Sequence, residues 1–404
     1  MINQIIHGDC FDVLKDIPDN SIDLILTDPP YGLKFMGKDW DHGVPGVQFW
    51  EQALRVAKPG AHLMAFGGTR TFHRLAVAIE DAGWEIRDTL MWIYGSGFPK
   101  SHDVSKAIDR AAGAERDVIS GSNRSLQNIK GNQYNSNPDR ERINVPITTP
   151  ATPEAKQWEG WGTALKPAWE PIILARKPLI GTVAENVLKY GTGGINIDGC
   201  RVGSRKDNPQ YRIASLSGVG NGKICYGTRN GKESLYEAGR WPANLIHDGS
   251  EEVVELFPSN VKGEIVRSGR KSAGSYEASS YKVGVVTEMS FKDSGSAARF
   301  FYCAKASRKE RGEGNTHPTV KPLALIKYLI TLGLPPSGIV LDPFCGSGTT
   351  ALACKELGRN YICIEKELEY YRIACNRLNQ PIEPIPDEPI EEITNDSPLQ
   401  LKLF

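Results

Sequence analysis

The sequence lacks the features of several protein classes. Its eight cysteines include no pair separated by two residues, which disfavours a structural zinc site and a disulfide framework. No apolar run approaches the ~20 residues of a membrane-spanning helix. The first residues, Met1–Ile6, have neither the basic start nor the apolar stretch of a signal peptide. These absences predict a cytoplasmic protein with reduced thiols and no contact with a membrane.

The chain also has no overall excess of charge, because its 48 Lys and Arg residues balance 48 Asp and Glu residues. The distribution is uneven, however. Residues 201–311 contain 19 basic and 12 acidic residues, a net charge of +7 (19 − 12), whereas residues 383–396 hold six acids and no base. A locally basic segment can bind phosphates even in a neutral chain. Ordinary solvated charge is the alternative interpretation.

Strand-like and helix-like segments alternate along much of the chain. Buried strands are predicted at Ile22–Leu26, Ala61–Phe66, Thr89–Ile93, Glu170–Ala175, Ile339–Leu341 and Tyr361–Ile364, and helices at Thr71–Ala82, Leu323–Leu332 and Thr349–Leu357. This alternation predicts a mostly parallel sheet covered on both faces by helices. Residues 120–160, rich in Asn, Ser, Gly and Pro, predict a long loop, and residues 190–300 are Gly- and Ser-rich and irregular.

A tight glycine turn lies between a predicted strand and a predicted helix near residue 346. Gly346 and Gly348 permit positive φ and a close approach of the backbone to a ligand. Glu365 ends the next strand, where a carboxylate can bind two ribose hydroxyls. No lysine follows the second glycine, which excludes a phosphate loop, and the third glycine of a dinucleotide fingerprint is missing. The pattern favours a nucleoside site over an ordinary turn.

A second turn, Thr27–Gly32, follows the strand Ile22–Leu26, at the edge where open α/β sheets bind ligands. Its two prolines stiffen the backbone, so that the Asp28 carboxylate and the Pro29 carbonyl are fixed as two hydrogen-bond acceptors. Two acceptors suit an –NH₂ group, and Tyr31 offers a flat face for a base. A structural Asp-Pro turn with a core tyrosine is the alternative.

Together these segments resemble the amino-group DNA methyltransferases. Asp28-Pro29-Pro30-Tyr31 resembles the catalytic signature of that family, and Phe344-x-Gly346-x-Gly348 resembles its cofactor motif. His317-Pro318-Thr319-x-Lys321-Pro322 is similar to the segment that closes over the methionine part of the cofactor, and Gly8-Asp9-Cys10 matches a segment near the cofactor adenine. The catalytic motif precedes the cofactor motif, as in the circularly permuted beta class.

The resemblance implies a fold, a cofactor and a set of site residues. The fold is an α/β Rossmann-like methyltransferase fold, with a mostly parallel seven-stranded sheet, helices on both faces and an inserted irregular DNA-recognition region. The cofactor is S-adenosyl-L-methionine, and no metal is expected. The catalytic residues are Asp28, Pro29, Pro30 and Tyr31. The residues expected to bind the cofactor are Asp9, Cys10, His317, Thr319, Lys321, Asp342, Phe344, Gly346, Gly348, Thr349, Thr350 and Glu365.

The expected organisation has six parts. They are a catalytic part of the methyltransferase domain at 1–112, an Asn/Pro-rich insert at 113–165, a return to the catalytic domain at 166–200, a target-recognition region at 201–295, a cofactor-binding part at 296–380 and an acidic flexible tail at 381–404. Within the recognition region, candidates for contact with phosphates or guanines are Arg201, Arg205, Arg212, Arg229 and Arg240.

The implied reaction moves a methyl group from S-adenosyl-L-methionine to the N6 amino group of adenine in double-stranded DNA. Hydrogen bonds to Asp28 and Pro29 would localise the lone pair of the amine, and the target base must be flipped out of the duplex. Direct displacement leaves no covalent role for Cys10 or Cys345. The nearest alternative is cytosine N4 methylation, which in this family more often has Ser in place of Asp28.

More distant possibilities are methylation of RNA or of a protein glutamine, a non-catalytic DNA-binding relic, and a nicotinamide oxidoreductase. The sequence does not distinguish a monomer from a homodimer, or an orphan enzyme from the modification half of a restriction-modification system. The segment Gln400–Phe404 resembles the peptide by which bacterial replication and repair proteins bind the sliding clamp. The Pro-rich acidic residues before it would act as a tether, and packing of the peptide onto the enzyme surface is the competing interpretation.

Overall fold

We describe the fold from a computed structural model. The described residues are 2–33, 43–97, 99, 101–125, 142–203, 239–259, 296–304, 315–317 and 319–382. Most of the expected recognition region, with Arg205, Arg212 and Arg229, lies outside them, as do Pro318 and the clamp-like peptide Gln400–Phe404.

Eleven strands are present in the described part of the chain. They are β1 (Gln4–His7), β2 (Ile22–Thr27), β3 (Ala57–Phe66), β4 (Glu85–Ile93), β5 (Val118–Ser125), β6 (Arg142–Thr148), β7 (Trp169–Arg176), β8 (Leu245–His247), β9 (Tyr302–Cys303), β10 (Ile339–Asp342) and β11 (Asn360–Glu365). Nine of them form one sheet in the order β1-β11-β10-β2-β3-β7-β4-β8-β9, and β5 and β6 form a separate ribbon. In the large sheet β7 is antiparallel to both neighbours, and the other pairs are parallel.

Helices cover both faces of this sheet. The α-helices span Cys10–Asp16, Val47–Val56, Phe72–Asp81, Val104–Ala111, Pro153–Gln157, Val183–Tyr190, Glu251–Val254, Leu323–Gly333, Thr349–Glu356 and Leu368–Leu378. Polar caps define where some of them begin. The Asp9 carboxylate accepts the Phe11 N–H at 2.9 Å before the first helix, and Thr182 and Glu185 form a reciprocal capping box. No helix among the described residues is long and apolar enough to cross a membrane.

The core lies in two layers, one on each face of the sheet. Successive residues of a strand point to opposite faces: Leu24 and Leu26 of β2 pack in the layer that contains Leu329. Ile25 of the same strand packs in the other layer, which contains Trp50. Because β2 is buried on both faces, its sequence reads as a continuous apolar run, as expected for a central parallel strand.

The structure confirms the predicted α/β class and the mostly parallel sheet with helices on both faces. The predicted number of seven strands is too low, because β8 and β9 extend the sheet beyond β4. These strands have only three and two residues, too few for a periodic pattern. Moreover, β8 comes from the segment 201–295, so part of the expected recognition region belongs to the main sheet.

The insert 113–165 also contains more regular structure than the predicted long loop. Its strands β5 and β6 pair in antiparallel register, with Val118 opposite Thr148, although Asn, Ser and Gly disfavour strands. The ribbon is joined to the neighbouring helix by a buried ion pair of 2.7 Å between Arg116 and Asp109. The Asp109 carboxylate also accepts the Thr152 hydroxyl at 2.8 Å. Long-range pairing of this kind overrides local preference.

Candidate active site

The two turns singled out in the sequence leave the same edge of the sheet. The Asp28–Tyr31 turn follows β2, and the glycine turn follows β10. Strands β2 and β10 are parallel neighbours, with Leu341 paired to Ile25. Their carboxyl ends therefore lie side by side, where ligands bind in open α/β sheets.

The Asp28 carboxylate is held at both of its oxygens. The Tyr31 hydroxyl donates to Oδ1 at 2.7 Å, and the Lys321 ammonium donates to Oδ2 at 2.6 Å. Each carboxylate oxygen has two lone pairs, so acceptor capacity remains on both. The Asp28 side chain is 25% exposed, which leaves it accessible to a substrate.

A second carboxylate, that of Glu170, lies in the same cluster. Its Oε2 accepts the Tyr31 hydroxyl at 3.2 Å and contacts the Lys321 ammonium at 3.3 Å, while its Oε1 accepts the Tyr94 hydroxyl at 3.3 Å. Glu170 reaches this edge because β7 is antiparallel, so that its first residues lie beside the last residues of β3 and β4. Two carboxylates thus share one ammonium and one phenol.

The charge states of this cluster follow from its contacts. Burial alone would lower the pKa of Lys321, but Asp28 and Glu170 raise it above its ordinary value. Burial raises the pKa of Tyr31 well above its ordinary value, and the two carboxylates raise it further. Near neutral pH the lysine is therefore charged and the tyrosine is neutral.

The glycine turn requires glycine at two positions, Gly346 and Gly348, because of backbone conformation and close contacts. Gly346 has φ of 53°, and a β-carbon there would lie 2.8 Å from Nε2 of His317. Gly348 has φ of 79°, and a β-carbon there would lie 2.9 Å from Cβ of Ala374. The His317 ring is fixed in turn, since its Nδ1 lies 2.7 Å from the Thr319 carbonyl oxygen and it makes an edge-to-face contact with the Tyr370 ring, with centroids 4.4 Å apart.

Glu365, at the end of β11, supports this turn. One carboxylate oxygen accepts the Gly346 N–H at 2.7 Å, and the other accepts the Glu367 N–H at 2.8 Å. Each oxygen keeps a further lone pair for a ligand. Burial raises the pKa of Glu365 to about 7, despite these two hydrogen bonds.

Asp9 and Cys10 lie beside Glu365, because β1 pairs with β11 and His7 is opposite Glu365. The Asp9 carboxylate contacts the Lys366 ammonium at 3.0 Å. Burial raises the pKa of Asp9, but the hydrogen bonds from Phe11 and Lys366, together with the charges of Lys366 and Lys15, bring it below its ordinary value. Burial, with the adjacent Asp9, raises the pKa of Cys10 to about 12. This thiol is therefore protonated near neutral pH.

Asp342 links the two turns. Its buried carboxylate accepts the Thr27 hydroxyl at 2.8 Å, the Thr350 hydroxyl at 2.5 Å and the Phe344 N–H at 3.2 Å. Burial raises its pKa to about 6. The hydrogen bond between Thr350 and Asp342 stabilises the edge of the sheet at which the two turns meet.

Phe344 and Thr349, which are also expected at the cofactor site, contact side chains of neighbouring helices. The Phe344 ring packs on Phe49 with centroids 5.1 Å apart. The Thr349 hydroxyl lies 3.3 Å from the Arg377 guanidinium, which also donates to the Ser347 hydroxyl at 3.1 Å. Among the described residues, no group of three His, Cys, Asp or Glu side chains is arranged to hold a metal ion.

The structure therefore sorts the expected residues into two neighbouring groups. Asp28, Tyr31 and Lys321 form one, although Lys321 was expected at the cofactor. Asp9, Gly346 and Glu365 belong to the other. The sequence interpretation missed Glu170 and Tyr94. The only signal for Glu170 was an acidic residue at the start of the apolar strand Glu170–Ala175.

The sequence matches a family model and several known proteins. A family model described as DNA methylase, covering N6 and N4 enzymes, matches residues 22–376. The chain is 24% identical over 424 residues to the Type II methyltransferase M.HindIII of Haemophilus influenzae, a match that covers 94% of this chain and 96% of that protein. It is 42% identical over 87 residues to the Type II methyltransferase M.HinfI of Haemophilus influenzae, covering 21% of this chain and 24% of that protein.

Solved structures also match. The PvuII DNA methyltransferase (cytosine-N4-specific) superposes with a TM-score of 0.42 and 14% identity, and the match covers 93% of this chain and 85% of that one.

Proposed function

This chain belongs to the DNA methylase family that comprises N6 and N4 amino-methyltransferases, and we propose that it methylates the N6 amino group of adenine in double-stranded DNA. The observation that carries the choice of adenine is the aspartate at position 28, where N4-cytosine members more often have serine. The names of the relatives, Type II methyltransferases, support a role in modifying specific DNA sites.

Asp28 would act as an acceptor for the target amine. An exocyclic amine is a poor nucleophile, because its lone pair is delocalised into the ring. Hydrogen bonds from its two protons to the Asp28 carboxylate and the Pro29 carbonyl would favour a pyramidal nitrogen with a localised lone pair. The contacts with Tyr31 and Lys321 fix the carboxylate, and such positioning supplies a large part of a direct displacement.

Tyr31 would hold the flipped base. A base inside a duplex cannot reach a turn at the edge of a sheet, so it must leave the stack. The Tyr31 hydroxyl lies 2.7 Å from Asp28 and 3.2 Å from Glu170, and these contacts hold the hydroxyl end of the side chain. A side chain held in this way is a good stacking surface, because little conformational freedom is lost when the base binds.

S-adenosyl-L-methionine, the methyl donor of the family, fits the second group of residues. When bound, it supplies an activated methyl group on a sulfonium. The absence of a side chain at Gly346 lets the His317 ring pack directly against the glycine turn, where His317 would contact the cofactor. Glu365 keeps lone pairs for ribose hydroxyls, and Asp9 lies beside it. These residues would bind and orient the cofactor, and Asp28 would orient the amine.

Recognition of the DNA sequence is proposed for the region 201–295. The described part of this region contributes an exposed tryptophan and two partly buried arginines. Trp241 is 62% exposed, and the Arg201 guanidinium lies 5.3 Å from its ring centroid. Arg240 lies over the Phe300 ring at 4.4 Å. Basic and aromatic side chains of this kind contact phosphates and bases.

The experiment that tests the proposed function replaces Asp28. Transfer of labelled methyl groups to DNA should fall by at least about 100-fold in Asp28→Ala and in Asp28→Asn, since positioned polar groups contribute factors of this size. Calorimetric binding of S-adenosyl-L-methionine should change little. Asp12→Ala is the matched control, because Asp12 pairs with Lys15 on the exposed surface of a helix. Near-normal turnover by Asp28→Ala would contradict the proposal.

The clamp-like peptide supports a further proposal, that Gln400–Phe404 binds the sliding clamp. Its support is the sequence pattern alone, with the acidic Pro-rich segment as a tether that raises the local concentration of the enzyme on newly copied DNA. The test is a calorimetric titration of the clamp with the full chain and with a chain that ends at Pro398. Binding by the full chain only is expected, and equal binding or no binding would refute it.

A further inference from the structure

The Lys321 ammonium is enclosed by acceptors of the catalytic cluster. It lies 2.6 Å from Oδ2 of Asp28, 3.3 Å from Oε2 of Glu170 and 3.3 Å from the Tyr31 hydroxyl oxygen. It also lies over the Phe66 ring, 4.9 Å from the centroid. Its side chain is only 10% exposed. The positive charge of Lys321 therefore offsets part of the negative charge of Asp28 and Glu170.

The two carboxylates are coupled by a single hydroxyl. The Tyr31 hydroxyl lies 2.7 Å from Oδ1 of Asp28 and 3.2 Å from Oε2 of Glu170, but it has one proton to donate. Two carboxylates linked in this way repel each other, and without a cation one of them binds a proton more tightly. The ammonium removes that repulsion.

We propose that Lys321 is a positioning residue for methyl transfer, which balances the charge of Glu170 and so keeps Asp28 an ionised acceptor when the target base covers it. Glu170 contacts the ammonium and, with Asp28, holds the Tyr31 hydroxyl. This inference rests on the proposed function, since it assigns Lys321 a task only if Asp28 receives the amine. It gives Lys321 a place at the base rather than at the cofactor.

The physical need arises when the base enters. The base excludes water from Asp28, and removal of water disfavours the charged form of a carboxyl group. A protonated Asp28 would present an O–H donor in place of an acceptor and would lose its hold on the amine. The Lys321 ammonium, 2.6 Å from Oδ2 of Asp28, would stabilise the charged carboxylate when the base displaces its water.

The remaining ionisable groups around the cluster do not replace the lysine. The titratable groups contributed by the elements packed here are Asp28, Tyr31, Tyr94, Glu170, Lys321 and Asp342. Lys321 is the one cation among them within the described residues. Asp342 adds a third carboxyl group, connected through Thr27, and this increases the need for a positive charge.

The test compares pH profiles of single-turnover methyl transfer by full-length variants. Lys321→Met should lose rate on the acidic side of its profile, by about tenfold for each pH unit by which the acidic limb moves upward. Its activity should return as pH rises, with the acidic limb moved upward by about 1–3 pH units, the usual effect of one nearby charge. Binding of S-adenosyl-L-methionine, followed by calorimetry, should stay within about twofold, because the ammonium contacts the catalytic residues.

Charge-balanced variants sharpen the test. Glu170→Gln with Lys321→Met removes one charge of each sign, so the acidic limb should return towards that of the wild type. Glu170→Gln alone should move the limb to lower pH, and Lys321→Arg should leave it in place. Lys327→Met is the matched control, since Lys327 pairs with Glu356 away from the cluster.

Two results would overturn the inference. If Lys321→Met loses cofactor binding and keeps the wild-type pH profile, Lys321 acts on the cofactor. If Lys321→Met lowers activity equally at every pH, and adding Glu170→Gln to it does not move the acidic limb, the role of Lys321 is structural. If Lys321→Met does not fold, the shift of the acidic limb to lower pH that is expected for Glu170→Gln alone still tests the inference. Failure of the proposed function is distinct, because the wild type would then methylate only cytosine or transfer no methyl groups to DNA.

Discussion

The Thr27 hydroxyl donates a buried hydrogen bond of 2.8 Å to the Asp342 carboxylate. This bond joins the last residue of β2 to the last residue of β10, across 315 positions of the sequence. The Asp28–Tyr31 turn and the glycine turn start from these two residues. The second oxygen of Asp342 is held by Thr350 at 2.5 Å, so the relative position of the two turns is fixed inside the protein.

Removal of this hydroxyl should destabilise the protein and disturb catalysis. Thr27→Val preserves shape but removes the shorter of the two hydrogen bonds to Oδ1 of Asp342, the other being from the Phe344 N–H, which costs about 1–3 kcal/mol of the free energy of unfolding. Chemical denaturation measures the loss. Thr331→Val is the control, because its hydroxyl bonds to the Lys327 carbonyl within the same helix, and a smaller loss is expected. Equal stability of Thr27→Val and the wild type would show that the bond does not link the turns.

The two turns could be predicted because their information is local. An apolar run such as Ile22–Leu26, followed at once by Asp28 and two prolines, identifies both the strand and the group at its end. The glycines of the second turn are likewise explained by their neighbours in sequence, and positive φ is found at Gly346 and Gly348.

The partners of Asp28 could not be predicted in the same way. Lys321 is 293 residues from Asp28, and Glu170 reaches it only because β7 is antiparallel between two parallel strands. Nothing in the local pattern specifies that direction. The ribbon of β5 and β6 was missed for a related reason, since its stability depends on pairing between segments whose composition favours loops.

The glycine turn predicts unequal effects of two similar substitutions. Gly346→Ala adds a β-carbon 2.8 Å from His317 at φ of 53°, whereas Gly358→Ala adds one with no described atom within 4 Å at φ of 63°. Both incur the cost of left-handed backbone, about 1–2 kcal/mol. Only Gly346→Ala should also weaken S-adenosyl-L-methionine binding, by at least about tenfold, equivalent to about 1.4 kcal/mol. Calorimetry tests this, and equal affinities of the two variants would contradict it.

Glu365 predicts a pH dependence of cofactor affinity. Its pKa is raised to about 7 by burial, and hydrogen bonds from ribose hydroxyls would favour the ionised form. The affinity for S-adenosyl-L-methionine should therefore increase as pH rises through about 7, by up to about tenfold per pH unit below that value. Glu365→Gln should bind weakly with a flat profile. A flat profile for the wild type would refute the role of Glu365.

The same group predicts a trend in the stability of the free protein. Because the folded pKa of about 7 exceeds the ordinary value of 4.5, the fold favours the protonated carboxyl. This contribution is complete below the ordinary value and is lost as pH rises to about 7. Denaturation at several pH values should show Glu365→Gln gaining stability relative to the wild type over that interval. A constant difference would contradict the expected shift.

The most direct test of the account is the identity of the methylated base. DNA incubated with the full-length protein and S-adenosyl-L-methionine is digested to nucleosides and analysed by mass spectrometry, with Asp28→Ala as the background control. If Asp28 holds an adenine amine, the digest contains N6-methyladenine and no N4-methylcytosine, and Asp28→Ala yields neither. A digest in which N4-methylcytosine is the only methylated product would contradict the choice of base that rests on Asp28.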